Sequence, residues 1–506
     1  MQPAMVKKLH LNASRLIFLC GAITCLLFLL VLCMKIKSMP FCFDEYLHAH
    51  YLWLVSIGRV PHIDFWCHYP ALGYVIVRPF FQLFPESIYT VLALRYFGLC
   101  FFIGTAVVAA WHARRLGANW LWGVLPLVMV SPQIIVIIVN FRTDAYAALA
   151  AILALTLMFQ EQSPVRSGLV GVLSVVSVII MPKYVYPLAF GGIACLVYGF
   201  FKGKRERQSL IYSAFAGGLI AALLAQCLLL TSHVWLWDDV YWSPVMMQRY
   251  FSYCAKTVTG LSTQLSNVGS YFLKNWWSAI LYGAGISGWL ITELKRRDGR
   301  LWVGTGILAG IALSWGTVKW PWNQYLLPGL YCLTMFVPYV ASLFNRPLYK
   351  FAGGIVLISL STLITISNYK QTSAELASGS AFRDFNARES FLKMIPRNER
   401  VVGFFRTHPC FREDLTFVTW DESWGTPKGF APILPENSRV FAFFQPGYLK
   451  KCLEKSVPPA SMAGNVDHYP LGWNQVLHDY LMQHSDLYIK EEGHGNVVFF
   501  RKDIAR

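Results

Sequence analysis

The chain has 506 residues, of which 55% are hydrophobic and only 14% are charged. A soluble protein of this length would carry nearer a quarter of charged residues, and the apolar residues here fall in blocks of about 20, the length that spans a bilayer. The net charge of +17 does not indicate nucleic-acid binding, because the basic residues cluster in short segments between apolar blocks. Composition therefore favours a polytopic membrane protein with no nucleic-acid partner.

The apolar blocks predict about eleven membrane-spanning α-helices within a transmembrane domain at residues 1–368. The first block is too long for a signal peptide and no cleavage site follows it, so we predict a retained helix with a cytoplasmic N-terminus. Basic residues then occupy every second connection, as the positive-inside rule requires, and the odd helix count places the C-terminus outside. The predicted spans are residues 16–36, 91–111, 120–139, 143–160, 165–181, 184–201, 209–230, 273–293, 301–318, 322–342 and 350–367.

Three segments are predicted to lie on the outer face of the membrane. The first outer loop, residues 37–90, contains two stretches near 46–57 and 71–84 that we interpret as interfacial helices. The second outer loop, residues 231–272, is rich in Trp and Tyr. The tail, residues 369–506, has ordinary globular composition with β-like and helix-like runs, which predicts a small extracytoplasmic α/β domain.

The first outer loop carries two adjacent carboxylates, Asp44 and Glu45, directly after the first apolar block. Charge beside a bilayer is costly and usually functional, so the pair favours an enzyme over a pore or a scaffold. Alternatively, Asp44 could be the N-cap of the following helix, and Glu45 a structural acid. Asp64 could cap a turn, and His68 and Tyr69 lie just before the second interfacial stretch.

Further acids and cations lie at the outer ends of later helices, at one predicted membrane depth. Arg142 and Asp144 lie between the third and fourth helices, Lys183 between the fifth and sixth, and Lys319 between the ninth and tenth. This pattern predicts an outward-facing site with a carboxylate base and a cationic nest for a phosphate. Alternatively, each cation could be a snorkelling side chain, and Arg142 with Asp144 a local ion pair.

The motifs of the first outer loop occur in a recognisable order. The loop reads Phe43-Asp-Glu-Tyr-Leu-His-Ala-His, then Gly58-Arg-Val-Pro-His-Ile-Asp-Phe, then His68-Tyr-Pro. This order resembles the GT-C superfamily of polyprenyl-phosphate-sugar glycosyltransferases. The branch that it resembles contains bacterial protein O-mannosyltransferase-like enzymes, the lipid A aminoarabinose transferase and the galacturonosyltransferases of lipopolysaccharide core. The chain departs from that pattern at His68 and Tyr69, where the family usually has Lys-Pro.

The resemblance extends to the helix ends and covers about residues 15–370. Arg142 and Asp144 match the family's Arg-x-Asp signal at the start of the fourth helix. Lys183 matches a lysine between the fifth and sixth helices. The run from Lys319 to Pro328 matches a basic-aromatic-Tyr-Leu-Leu-Pro motif.

The resemblance implies that a sugar moves from a membrane polyprenyl monophosphate to an acceptor hydroxyl on the outer, periplasmic face. Asp44 would be the general base, and Glu45 and Asp144 the other catalytic carboxylates, with Asp144 holding the sugar or the acceptor. Asp44 and Glu45 would lie about 100° apart on a helix, so Glu45 is a poor nucleophile, and a single displacement predicts inversion. The implied donor-phosphate ligands are Lys183, Arg142, His68 and Lys319, and the implied substrate-positioning residues are Asp64 and Tyr69.

The implied reaction requires no nucleotide and no obligatory metal, although a divalent metal is compatible with it. The acceptor is expected to be a glycolipid, a polysaccharide or a protein, in lipopolysaccharide or other cell-envelope glycan synthesis at the inner membrane.

Two alternatives are a polymerase or ligase that uses diphosphate-linked donors and a lipid or glycan transporter. A transporter would place charges near the bilayer midplane and often show inverted repeats, and the sequence has neither. A third alternative is a non-catalytic protein whose outer domain binds a partner.

Overall fold

The computed structural model places the polypeptide in two compact units, which are described separately. Unit 1 contains Met1–Met39, Arg95–Leu224 and Thr259–Gly379, and unit 2 contains Pro40–Leu94, Ala225–Val258 and Ser380–Arg506. The residues that the structure describes are 3–65, 67, 69–199, 204–240, 261–296, 300–317, 325–344, 347–402, 410–415, 448–455, 457–464, 473–493 and 496–504.

α-Helices form most of the described part of the chain. In chain order they are α1 (Pro3–Ser38), α2 (Phe43–Ser56), α3 (Leu72–Phe81), α4 (Thr90–Arg115), α5 (Leu121–Val128), α6 (Pro132–Val139), α7 (Asp144–Met158), α8 (Pro164–Ile180), α9 (Val185–Gly199), α10 (Lys204–Leu230), α11 (Leu261–Lys274), α12 (Trp276–Arg296), α13 (Arg300–Thr317), α14 (Leu327–Thr334), α15 (Pro347–Ser378), α16 (Ser380–Met394), α17 (Tyr448–Lys455) and α18 (Trp473–Gln483). Among the described residues, one 3₁₀ helix, Pro182–Tyr184, lies between α8 and α9, and another, Val337–Leu343, lies between α14 and α15.

Among the described residues, four helices are long and apolar enough to cross a membrane. They are Arg15–Ser38 within α1, Thr90–Arg115, Arg205–Leu230 within α10 and Phe351–Ser378 within α15. Several other apolar helices, such as α7 and α8, are shorter. The total of about eleven spans therefore stays a prediction.

Two of the predicted spans are interrupted in the structure. The block at 120–139 forms α5 and α6, which are bent by 98°. Ser131, before Pro132, has an extended backbone with φ −67° and ψ 157°, as expected because a proline disfavours the helical conformation in the residue before it. The block at 322–342 contains the short α14 and then a 3₁₀ helix in place of one long α-helix.

The C-terminal end of α1 is fixed by a buried cation of α4. Arg95 has no exposed surface, and its Nη1 donates to the carbonyl oxygens of Ile36 at 2.5 Å and Met39 at 2.9 Å. The last carbonyl groups of a helix lack partners within the helix, and a cation is a favourable partner for them. α1 therefore ends at a defined point, Ser38, six residues before Asp44.

Close contact between α8 and α10 depends on glycine. A Cβ added to Gly171 would lie 2.0 Å from the carbonyl oxygen of Ala214, and one added to Gly217 would lie 2.1 Å from that of Gly168. Small residues at a helix–helix contact allow two backbones to approach this closely. These two glycines therefore determine the spacing of the helix pair.

We expect Gly171→Ala to destabilise unit 1 by about 1–3 kcal/mol, because the added methyl group forces two backbones apart. The matched control is Gly192→Ala in α9, where an added Cβ meets nothing within 4 Å. Thermal unfolding of the two purified variants in detergent checks this expectation. Equal melting temperatures for Gly171→Ala and Gly192→Ala would contradict it.

The described residues of unit 2 form a mixed five-stranded sheet. Its strands are β1 (Arg400–Val402), β2 (Glu413–Asp414), β3 (Ser461–Gly464), β4 (Tyr488–Gly493) and β5 (Asn496–Arg501). The order across the sheet is β2-β1-β3-β5-β4. β1 pairs in parallel with β2 and with β3, whereas β5 pairs antiparallel with β3 and with β4.

The core of unit 2 follows from strand alternation. Val401 and Val402 are adjacent in β1 and are both buried, and successive side chains of a strand point to opposite faces. Val402 accordingly belongs to a cluster with Leu477 and Tyr480 of α18, whereas Val401 belongs to a second cluster with Ile395. All five strands come from the tail, but the domain boundary at 368/369 stays a prediction.

Candidate active site

The two adjacent carboxylates lie in the first turn of α2. The N-cap of this helix is Cys42, which has an extended backbone and makes no side-chain capping bond. The alternative interpretation of Asp44 as the N-cap is therefore wrong. Acidic side chains in the first turn of a helix interact favourably with the helix dipole, and with Asp44 and Glu45 there α2 begins at Phe43, earlier than the predicted residue 46.

Asp44 and Glu45 have different surroundings. Asp44 is half-buried, whereas Glu45 has no exposed surface. Successive residues of a helix are separated by about 100° around its axis, so the two side chains leave α2 in different directions. Asp44 is therefore the carboxylate of the pair that retains access to solvent or substrate.

Aromatic side chains surround the buried face of α2. His48 Nδ1 lies 2.8 Å from the hydroxyl of Tyr74 in α3, and the His48 ring stacks on Tyr69 with centroids 4.3 Å apart. Tyr69 is buried, so its ring helps to hold α2 against the loop that precedes α3. A substrate-positioning role for Tyr69 stays a prediction.

Asp64 closes a turn in the first outer loop. Its Oδ2 accepts the backbone N–H of Val60 at 2.8 Å, and its own N–H donates to the Val60 carbonyl at 2.8 Å. The turn-capping interpretation accounts for these contacts, and substrate positioning by Asp64 stays a prediction. Two predicted phosphate ligands, His68 and Lys319, lie outside the described residues.

A carboxylate from the second outer loop organises this region, although sequence reasoning did not identify it. Asp239 is fully buried, and its two oxygens accept the backbone N–H groups of Ala71 at 2.6 Å and Leu72 at 3.4 Å, at the start of α3. His62 Nε2 lies 3.2 Å from Asp239 Oδ1, and His62 has a positive φ of 65°. Asp239 therefore holds the first outer loop in shape.

We expect Asp239→Ala to lower the stability of unit 2 by about 1–3 kcal/mol, because it leaves buried N–H groups of α3 without an acceptor. The neighbouring Asp238→Ala is a matched control, since Asp238 is only half-buried. Thermal unfolding, with hydrogen exchange of residues 60–75, measures the effect. Equal melting temperatures and exchange rates for the two variants would show that Asp239 has no such role.

In unit 1, two cations converge on one carboxylate. Asp144 is the first residue of α7, and its Oδ2 accepts from Arg142 Nε at 2.9 Å while its Oδ1 accepts from Lys183 Nζ at 3.1 Å. The local ion pair between Arg142 and Asp144 is therefore present, and Lys183 shares it. The structure thus brings together residues from two connections, Arg142 and Asp144 from one and Lys183 from another.

A proline places Lys183 at this end of the helices. Pro182 ends α8 at Ile180, because a proline cannot donate a backbone hydrogen bond and restricts the residue before it. Met181 is accordingly extended, with φ −147° and ψ 100°, and Pro182–Tyr184 forms a 3₁₀ turn. Lys183 Nζ also lies 4.8 Å from the centroid of the Tyr325 ring, which is the geometry of a cation–π interaction.

Burial gives this group of side chains its chemical character. The side chains of Arg142, Asp144 and Lys183 are 2%, 4% and 12% exposed. Two cations and one carboxylate sum to one net positive charge, and charges act on each other more strongly away from water. The planar Arg and the point-charged Lys are both suited to an oxyanion such as phosphate. Within the described part of the chain, no three His, Cys, Asp or Glu side chains are grouped to hold a metal ion.

Two solved structures share this fold. The first is ArnT from Cupriavidus metallidurans bound to undecaprenyl phosphate, with a TM-score of 0.61, 13% sequence identity, and coverage of 94% of this chain and 97% of that chain. The second is the same protein in the apo state, with a TM-score of 0.55, 13% identity and coverage of 96% and 98%. No family model and no curated protein sequence matches the chain. The chain therefore shares the fold of ArnT, which is the fold that the resemblance predicted.

Proposed function

We propose that this protein is a membrane glycosyltransferase that moves a sugar from a polyprenyl monophosphate to an acceptor hydroxyl. The main observation behind this proposal is that the chain shares the fold of ArnT along almost the whole length of both chains. That ArnT structure contains bound undecaprenyl phosphate. The buried group formed by Arg142, Asp144 and Lys183 supports it, because its net charge suits a phosphate.

The proposed reaction begins with removal of a proton from the acceptor by Asp44. The half-buried carboxylate of Asp44 in the first turn of α2 has the exposure that a general base requires. The acceptor oxygen then attacks the anomeric carbon, and the bond from that carbon to the phosphate oxygen breaks. The electron pair of that bond leaves with the polyprenyl phosphate, so the reaction needs no strong general acid.

A single displacement with inversion is the stereochemistry that we propose. Retention would require a carboxylate nucleophile near the anomeric carbon. Glu45 is fully buried and leaves α2 in another direction from Asp44, and Asp144 accepts from two cations. These contacts favour a structural or positioning role for Glu45 and Asp144 over attack on the sugar.

Binding of the leaving phosphate is assigned to the cationic side chains. Lys183 and Arg142 would stabilise the negative charge that grows on the phosphate oxygen, and Asp144 would hold both cations in position. His68 and Lys319 are further proposed ligands that rest on sequence alone. Asp64 and Tyr69 are proposed to position substrate through the shape of the first outer loop.

The proposed place of action is the periplasmic face of the inner membrane, with the N-terminus in the cytoplasm and the tail outside. Four helices long enough to cross a bilayer support a multi-pass protein, and the basic connections support this orientation. The proposed transfer uses no nucleotide and no obligatory metal. Substrates would belong to lipopolysaccharide or another cell-envelope glycan.

The experiment that tests the function measures sugar transfer by purified protein in liposomes. Radiolabelled sugars on polyprenyl monophosphates are incubated with lipid, polysaccharide and protein fractions of total membranes, with and without EDTA. We expect the wild-type protein to transfer label into one of these fractions, with or without EDTA. Transfer by Asp44→Asn should fall to about background. Absence of transfer from every monophosphate donor by folded wild-type protein would contradict the proposal and favour a diphosphate-donor enzyme or a transporter.

A further inference from the structure

The tail contacts the chain just before α2. The backbone N–H of Phe41 donates to Asp384 Oδ2 of α16 at 2.9 Å. The Phe41 ring meets Phe385 edge-on with centroids 5.8 Å apart, and the Arg388 guanidinium lies 5.0 Å above its centroid. Phe41 precedes Asp44 by three residues, so α16 holds the entry to the helix that carries the proposed base.

A second contact holds the middle of α2. His50 has no exposed surface, and both of its ring nitrogens face acceptors: Nδ1 faces the carbonyl oxygen of Cys410, and Nε2 lies 3.0 Å from Asp414 Oδ2. A carbonyl oxygen can only accept, so Nδ1 donates to Cys410, and Nε2 lies within hydrogen-bond distance of the Asp414 carboxylate. The Tyr46 ring stacks on the His50 ring at 5.8 Å.

The backbone of the tail has an uncommon shape at this contact. Cys410 has a positive φ of 62°, a conformation that non-glycine residues adopt rarely and usually at a cost. Burial raises the pKa of the Cys410 thiol well above its usual value. The nearby Arg388 guanidinium lowers this pKa, whereas the Glu45 and Asp414 carboxylates raise it further. The Cys410 side chain therefore lies among the same charged groups that surround α2.

A third contact lies just beyond the end of α2. Arg59 Nε donates to Glu413 Oε1 at 2.7 Å. Glu413 and Asp414 together form β2, which pairs in parallel with β1. This short strand therefore presents Asp414 to His50 of α2 and Glu413 to Arg59, three residues beyond the helix.

We propose that the tail positions the base: Asp414 and His50 are positioning residues that fix the rotation of α2 and hence the direction of the Asp44 carboxylate. The proposal rests on the proposed function, because it takes Asp44 as the base. His50 follows Asp44 by six residues, which places the two side chains about 120° apart around the helix. The contact with β2 can therefore hold α2 without covering Asp44. A misplacement of about 1 Å in a catalytic group can cost about 10²-fold in rate.

The test compares Asp414→Leu, Asp414→Asn and the control Glu399→Gln in the full-length protein. Asp414→Leu removes both carboxylate oxygens that could accept from His50, whereas Asp414→Asn keeps one oxygen as an acceptor. Glu399 accepts from Arg501 Nη2 at 2.7 Å within the tail, so Glu399→Gln weakens a tail ion pair that does not reach α2. The readouts are hydrogen exchange of residues 41–58, which needs no substrate, and kcat with the donor KM for sugar transfer.

The proposal predicts faster exchange across residues 41–58 in Asp414→Leu but not in Glu399→Gln. It also predicts a fall in kcat of about 10- to 100-fold with an almost unchanged donor KM, and substantial recovery in Asp414→Asn. In the Asp44→Asn background, Asp414→Leu should lower kcat no further. Exchange or kcat in Asp414→Leu equal to that of Glu399→Gln would overturn the proposal and leave the proposed function intact. If Asp44→Asn instead keeps wild-type activity, the base assignment fails, and hydrogen exchange alone decides whether the tail holds α2.

Discussion

Replacing Asp44 by asparagine should lower kcat for sugar transfer by about 10²- to 10⁴-fold, the range that a positioned general base contributes. Asparagine has nearly the same shape but cannot take up the proton of the acceptor hydroxyl. Asp44 is half-buried in the first turn of α2. Asp44→Asn should therefore lower the free energy of unfolding by only about 0.3–1 kcal/mol, the size of one interaction with the helix dipole. Initial rates in liposomes, together with thermal unfolding, measure both effects.

A matched control for this substitution lies in α18. Asp479 has a side chain that is 55% exposed, and Asp479→Asn should transfer sugar at the wild-type rate. Folded Asp44→Asn protein with wild-type kcat would show that Asp44 is not the base. A large drop in melting temperature of Asp44→Asn would instead assign its carboxylate a structural role.

Replacing Lys183 by methionine should lower kcat/KM for the donor by about 10²- to 10³-fold, the cost of removing one stabilising group from a developing oxyanion. The substitution keeps the length of the side chain and removes its charge. Arg142 remains paired with Asp144 at 2.9 Å, so the carboxylate does not become an isolated buried charge. The effect should appear in kcat as well as in KM, because charge on the phosphate grows as the sugar leaves.

The control for Lys183→Met is Lys370→Met, since Lys370 is an exposed residue of α15. Donor titrations of both variants, at equal protein reconstitution, separate kcat from KM. A change confined to stability, with wild-type kcat/KM in the folded fraction, would mean that Lys183 only pairs with Asp144. In that case the interpretation of the group as a phosphate site would be wrong.

Short-range features of the sequence predicted the helices nearest the candidate site. α2 and α3 lie close to the stretches predicted near 46–57 and 71–84, because local apolar and aromatic patterns determine short interfacial helices. The contact of Arg142 and Lys183 with Asp144 agrees with the predicted topology, since alternate connections of successive spans meet on one side of a membrane.

Contacts between distant parts of the chain could not be predicted in this way. Asp239 is separated from Ala71 by 168 residues, and His50 from Asp414 by 364. A lone acid or histidine has no periodic pattern that identifies its partner. The 98° bend between α5 and α6 has a visible cause in Pro132, but the apolar block around it is long enough to suggest one span.

The proposed donor is a sugar on a polyprenyl monophosphate. The most direct measurement offers purified protein two donors that differ only in a monophosphate or a diphosphate link, and identifies the lipid product by mass spectrometry. We expect that the monophosphate donor is consumed and that one polyprenyl monophosphate is released for each sugar transferred. Transfer from the diphosphate donor alone, with release of polyprenyl diphosphate, would contradict it.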